Sequence, residues 1–224
     1  MEASKIIPAL GLAAAGLRPV PGSKFICDQD IKDDSFGILC KYVQELTGIR
    51  LSEEDISLLL QAAKFKTLRK RQYLLQEGDV CRYMNFVTNG ALKMYSVNER
   101  GHEAIIVLST ENSWIADRES MGLQTSSIYN IEAIEKTHIV QFTPGQLDAL
   151  GQAIPAVAEM TRLQNKQLAI ATQKRIHAAI SMTAEERYHD LISCYPEYIQ
   201  RFSQNMLASY LGIKPETLSR VRKR

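Results

Sequence analysis

The stretch SQNMLASYLGIKPETLSRVRKR, Ser203 to Arg224, decides how the rest of the chain is read. Met206, Leu207, Ala208 and Leu211 make one apolar helical face, and Leu218 and Val221 begin another at a spacing of three. Between them Gly212 can take the left-handed conformation that stops a helix, and Pro215 brings a pre-set φ to the start of the next. With Gln204 as the first position, the small Ala208 falls where two helices cross closely. Leu207, Leu211, Ile213, Leu218 and Val221 then fall at buried positions. The pattern predicts a helix-turn-helix. Its second helix presents Glu216, Thr217, Ser219, Arg220, Lys223 and Arg224, with Lys214 just ahead of it. Such side chains donate to guanine edges, accept from cytosine and neutralise phosphates. The plain alternative is a helical hairpin with a solvated basic end.

The charge distribution favours the nucleic-acid reading. From Arg201 onward six basic residues stand against the single acidic Glu216, a net of +5 in a chain whose total is +2, so the remainder is about −3. A positive field gathered into one terminal segment is the footprint of a DNA-binding unit attached to a neutral or acidic domain.

Elsewhere 224 residues of 45% hydrophobic composition suit one large domain and one small one. Cys27, Cys40, Cys81 and Cys194 are far apart with no CxxC pair, which fits a reducing compartment and spells no metal site. His102, His138, His177 and His189 are equally scattered, and no HExxH, GxSxG or phosphate loop is present. Neither an enzyme nor a metal cofactor is expected. Ile6 to Leu17 is an apolar run, too short to span a bilayer and poorly charged for a signal peptide. Residues 1–34 are expected to be a loosely ordered extension. A secreted β-protein is the minor reading that this run leaves open.

Helical periodicity starts near Ser35, with Phe36, Leu39, Tyr42, Val43 and Leu46 on one face. Ser52 and Asp55 form a capping-box pair, and Leu51 can staple to Ile56. The basic segment Lys64 to Arg71 reads as a solvated face. The period then changes: Tyr73–Leu75, Tyr83–Thr88, Leu92–Val97, Ala104–Leu108, Ser127–Ile134 and His138–Phe142 are short apolar runs separated by Gly78-Asp79, Asn89-Gly90 and Asn98 to Gly101. These predict antiparallel strands in a barrel or sandwich. Thr143-Pro144-Gly145-Gln146 caps a following helix, and Pro155 opens a longer one without a breaker from Ala156 to Met182. Its apolar residues, Leu163, Leu168, Ile170, Ile176 and Ile180 among them, exceed what one face needs, which predicts a partner helix from a second copy. Thr183 with Glu186 caps another helix from Ala184 to Cys194.

This order of elements resembles the Crp/Fnr family of transcription regulators from about residue 36 to the end. The resemblance rests on Glu77-Gly78-Asp79, Tyr83, Phe86-Val87, Asn89-Gly90, Gly101, the capped helix after Thr143, and Pro215-Glu216-Thr217-Leu218-Ser219-Arg220. It implies an α+β fold: an antiparallel β-roll, jelly-roll-like, with flanking helices, a long dimerisation helix and a C-terminal helix-turn-helix. The expected division is an extension over 1–34, a cyclic-nucleotide-binding-like sensor over 35–152, the dimerisation helix over 153–182 and the DNA-binding unit over 183–224, with no wing after the recognition helix. It further implies a cytoplasmic homodimer on a two-fold symmetric DNA site, with RNA polymerase as a candidate further partner and no membrane association. Glu216 and Arg220 would touch base edges, and Thr217 and Ser219 would lie nearer the phosphates.

The candidate effector pocket is Ile115, Ala116, Asp117, Arg118, Ser126 and Ser127. Nucleotide-binding members carry Phe-Gly-Glu there and, ten residues after the Glu, an arginine for the cyclic phosphate. This chain has Ile115-Ala116-Asp117 and, ten residues on, Ser127. A buried phosphate without that cation lacks its charge-assisted bond. Weak or absent cyclic AMP binding is therefore expected, with the pocket either holding another small molecule or standing as an empty structural relic. The absence of clustered N-terminal cysteines argues against an oxygen-sensing iron-sulfur version. The alternative function is a small-molecule-binding module that has lost DNA binding.

Overall fold

The computed structural model describes residues 28–223. The apolar run Ile6–Leu17, Cys27 and the terminal Arg224 lie outside the described residues.

The alternating segments form strands β1 (Lys64–Leu68), β2 (Tyr73–Leu75), β3 (Met84–Asn89), β4 (Leu92–Val97), β5 (Glu103–Ser109), β6 (Ser113–Ile115), β7 (Asn130–Ala133) and β8 (Thr137–Phe142). They build two four-stranded antiparallel sheets, ordered β1-β8-β3-β6 and β2-β7-β4-β5. Leu68, Val87, Leu92, Ile131 and Ile139, each at most 1% exposed, meet between them. Burial of these alternate side chains is the dominant force holding the roll closed. The chain passes from one sheet to the other at Gly90, whose φ is 95°. A Cβ there would stand 2.5 Å from Thr137 Oγ1 and 2.6 Å from the Lys136 carbonyl oxygen, so only glycine fits.

Helix α1 (Asp28–Thr47) starts earlier than the periodicity from Ser35 indicated. It is followed by α2 (Glu53–Ala62), closed by the predicted capping box of Ser52 and Asp55. Beyond the strands come α3 (Arg118–Leu123), α4 (Pro144–Ala153) with its Thr143–Gln146 capping box, and the 27-residue α5 (Pro155–Ser181). α1 and the first half of α5 pack on the first sheet through Tyr42, Phe86, Trp114, Phe142, Val157 and Met160. The aromatic rings run in series, with centroids 4.9 Å apart for Tyr42–Phe86 and 5.2 Å for Phe86–Trp114.

The basic segment is solvated at Lys64, Arg69, Lys70 and Arg71, and its first five residues also form strand β1, paired residue for residue with β8. Burial rises along one face, from the exposed Lys64 through Lys66 to the fully buried Leu68, while Phe65 and Thr67 lie on the other. Strand β6 and helix α3 were not anticipated. Both are too short, at three and six residues, to show a period.

The chain ends in α6 (Ala184–Cys194), α7 (Tyr198–Arg201), α8 (Gln204–Leu211) and α9 (Pro215–Val221). This unit shares a core with the second sheet: Tyr195, Tyr198, Phe202, Leu207 and Leu218 cluster with Ala91, Tyr95, Ile105 and Leu108. The fully buried Tyr198 donates its hydroxyl to the Leu108 carbonyl at 2.9 Å. Ser209 of α8 reaches the edge strand β5, donating to the Glu103 carbonyl at 2.8 Å and accepting from the Ile105 N–H at 3.0 Å. One serine thus satisfies backbone groups that an open sheet edge would leave unpaired.

Candidate nucleic-acid interface and effector cavity

The helix-turn-helix forms as its residues dictate. Ser203 caps α8, accepting from the Met206 N–H at 3.3 Å, and Gly212 ends it at φ 65° and ψ 36°. Lys214 then stands at the N-cap of α9, ahead of Pro215. Ala208 and Leu218 are 0% exposed, so the close crossing and the anchor of the second helix fall where the spacing put them. Arg187 of α6 props the turn from behind, donating to the Leu211 carbonyl at 2.8 Å.

On the outer side of α9, Lys214, Glu216, Arg220 and Lys223 are exposed, while Thr217 and Ser219 are half-buried. The Arg220 guanidinium lies 3.4 Å from the Thr217 hydroxyl and has no carboxylate partner among the described residues. Arg224, the seventh predicted contact, lies outside the described residues. Arg201 was counted with this basic end but does not belong to it. Its guanidinium pairs with Glu111 at 3.0 Å and with Glu135 more closely still. Burial works to lower its pKa, but the hydrogen bonds from these two carboxylates outweigh that and raise it. Arg201 therefore clips the C-terminal unit to the roll.

Along α5 the apolar surplus divides. Val157, Met160 and Ala171 are buried, Leu163, Leu168 and Ile170 half-buried, and Ile176 and Ile180 are 56% and 79% exposed. Two isoleucines held open to water near the end of a long helix mark an apolar surface available to a partner.

The predicted effector residues separate into two groups. Ile115, Ala116, Asp117 and Arg118 line a cavity of about 580 Å³ between the roll and α5. Ser126 is exposed and Ser127 turns away from that lining. The Ser127 hydroxyl donates to the Asp117 carboxylate at 2.7 Å. The same carboxylate caps α3, accepting from the Glu119 and Ser120 N–H groups at 3.1 and 3.2 Å, and Asp117 is only 5% exposed. The start of α3 is thus occupied by the chain's own carboxylate. Arg118 is likewise engaged, donating to Asn165 Oδ1 at 2.8 Å.

Arg175 was missed by the sequence reading, since one cation in the middle of a long helix carries no pattern. It donates to the Ile106 and Ile105 carbonyls of β5 and lies 5.0 Å from the centroid of the Tyr210 ring. Burial pushes the Tyr210 hydroxyl up to about 12, against the opposing pull of Arg175. One side chain of α5 thus touches the wall of the cavity and the first helix of the helix-turn-helix.

A two-sheet β-roll, a long helix and a helix-turn-helix thus follow one another along the chain. Residues 65–153 match the cyclic nucleotide-binding domain. The chain is 26% identical over 203 residues to the transcriptional activator protein Anr of Pseudomonas aeruginosa, covering 85% of this chain and 80% of that one. It is 24% identical over 195 residues to the regulatory protein HlyX of Actinobacillus pleuropneumoniae, covering 81% and 80%. Among solved structures, FixK2 of Bradyrhizobium japonicum superposes with a TM-score of 0.57 at 20% identity, over 72% of this chain and 83% of that one. The regulator CLP of Xanthomonas campestris gives 0.58 at 15% identity, over 77% and 90%. By this domain match and these relatives the chain is similar to transcription regulators of the Crp/Fnr type.

Proposed function

We propose that this chain is a sequence-specific DNA-binding transcription regulator that acts as a homodimer in the cytoplasm and performs no catalysis itself. The observation that carries it is the exposed, uncommitted face of α9, with Glu216 and Arg220 standing on a helix whose other side is anchored by the buried Leu218. We divide the chain into a sensor over 35–152, a dimerisation helix over 153–182 and a DNA-binding unit over 183–224. Arg220 reads a guanine edge and Glu216 a cytosine amine, while Lys214, Thr217, Ser219 and Lys223 hold the phosphates.

The exposed Ile176 and Ile180 support pairing of α5 with the same helix of a second copy. Two recognition helices related by that two-fold then meet half-sites one helical turn apart, roughly 34 to 36 Å. A ligand that favours one arrangement of the paired helices sets that spacing. RNA polymerase is the natural further partner of such a dimer.

The effector in this reading is not cyclic AMP, because Asp117 and Ser127 close the anion position on each other. The fold is not tied to that nucleotide, as CLP, which shares it, is described as responsive to c-di-GMP. Selection of bound duplexes from a random pool by the full-length protein tests the proposal. Enrichment of an inverted repeat supports it, and sequence-blind binding would leave only a small-molecule-binding module.

A further inference from the structure

Arg175 stands where the long helix, the roll and the DNA-binding unit meet. It lies in the second half of α5, one residue before the exposed Ile176, and successive residues of a helix point about 100° apart. The half-buried Arg175 donates to the Ile106 carbonyl and, at 3.4 Å, to the Ile105 carbonyl. Its guanidinium also lies 5.0 Å from the centroid of the Tyr210 ring, on a residue only 8% exposed. Next to Tyr210, Ser209 bonds to the Glu103 carbonyl and the Ile105 N–H of the same strand. Strand β5 is thus gripped by α5 and by α8 on neighbouring backbone groups, and Arg175 with Tyr210 joins the two grips directly. The covalent link between α5 and the unit is slight by comparison. Met182 and Thr183, both in extended backbone at φ −100° and −66°, are all that separates α5 from α6. A connection of that length works as a hinge unless side-chain contacts fix its angle.

We propose that Arg175 is a positioning residue that determines which half-site spacing the dimer accepts. By bonding α5 at once to β5 and to Tyr210, it sets the distance and angle of each α9 from the two-fold axis about which the α5 helices pair. The inference rests on reading the chain as a DNA-binding dimer paired through α5. Base reading within one half-site belongs to α9 and is untouched by this role, whereas the relation between the half-sites depends on it. Moving a half-site by one base pair shifts it by about 3.4 Å and turns it by about 35° around the duplex. Units free to swing about Met182 and Thr183 follow such a change, and pinned units do not. Lysine is a poor substitute at this position. An ammonium is a point charge without the planar fork that serves two carbonyls while its face lies on a ring.

The test is binding of the full-length protein, by anisotropy, to the inverted repeat selected from the random pool and to repeats whose half-sites are moved apart by one and by two base pairs. The unaltered chain is expected to prefer the selected spacing by at least ten-fold. Arg175→Met, which keeps the length of the side chain and removes its donors, brings that preference below three-fold. Its preference for the repeat over a scrambled duplex persists. Tyr210→Leu has the same effect, Tyr210→Phe keeps the ten-fold preference because it keeps the ring face, and Arg175→Lys falls between. Sedimentation follows the dimer and circular dichroism the fold. If Arg175→Met is misfolded, the comparison of Tyr210→Leu with Tyr210→Phe decides. A purely structural role for Arg175 weakens binding equally at every spacing and leaves the preference at ten-fold, which overturns the inference. A preference lost together with the dimer also overturns it, since pairing and not positioning is then at fault. Specific binding by the unaltered chain that is indifferent to spacing sinks the inference alone. Failure of the unaltered chain to prefer any duplex sinks the regulator reading and the inference with it.

Discussion

The Ser127 hydroxyl donates to the Asp117 carboxylate at 2.7 Å, and Ser127 is the position at which the family resemblance leads one to expect an arginine for a cyclic phosphate. The carboxylate accepts from three donors that hold it in place, and its negative charge opposes a second anion beside it. Cyclic AMP should therefore show no calorimetric saturation in the micromolar range. Ser127→Arg should remain a weak binder, because the new guanidinium pairs with Asp117 instead of a phosphate. Micromolar binding by the unaltered chain would refute this account of the pocket.

Arg201 forks between Glu111 and Glu135 and is only partly exposed. Arg201→Ala should lower stability by about 1.5 to 3 kcal/mol, the range for hydrogen bonds to charged groups. Arg201→Lys should recover only part of that loss, since an ammonium cannot reproduce the fork. Urea melts give both values, and equal stability for all three chains would show the clip to be ornamental.

Gly90→Ala should be severe. The added Cβ meets Thr137 Oγ1 and backbone at 2.5 to 2.7 Å, and the φ of 95° is unfavourable for any L side chain. Strain and overpacking together predict a loss of about 2 to 5 kcal/mol. Near-normal thermal stability of the variant would contradict the close passage between the sheets.

Burial pushes the Cys40 thiol from 9.0 up to about 11, and burial likewise raises Tyr42, Tyr195, Tyr198 and Tyr210. The folded chain holds these protons after the unfolded chain has released them. The contribution of Cys40 is thus complete below pH 9 and is lost as the pH rises toward 11, while that of the tyrosines starts to be lost only above pH 10 and goes on falling beyond 11. Denaturant melts should show stability falling through that window, with a shallower fall for Cys40→Ala. A flat profile for the unaltered chain would contradict the burial.

Legibility in the sequence followed the length of each pattern. The helix-turn-helix was readable because Ala208, Gly212, Pro215 and Leu218 each have a steric reason to be where they are. The capping pairs Ser52–Asp55, Thr143–Gln146 and Thr183–Glu186 all form, since each is a local interaction complete within four residues. β6 and α3 escaped because they are short, and β1 because Lys64 and Lys66 share the face of Leu68 and leave it no apolar alternation. The long-range parts of the site had no local signature. Arg201 looked like one more charge in a basic tail, Ser209 like an ordinary helix serine, and Ser127 like a missing arginine instead of a partner for Asp117. Their roles depend on residues 10 to 106 positions away.

The central claim is that α9 reads bases, and one titration tests it most directly. Fluorescence anisotropy of the full-length protein and of Arg220→Ala is recorded on the selected inverted repeat and on a scrambled duplex, at several salt concentrations. The account predicts a loss of about 1 to 3 kcal/mol per site on the repeat, little change on the scrambled duplex, and a nearly unchanged salt slope. Equal losses on both duplexes, with a slope reduced by about one, would make Arg220 a phosphate contact and contradict the claim.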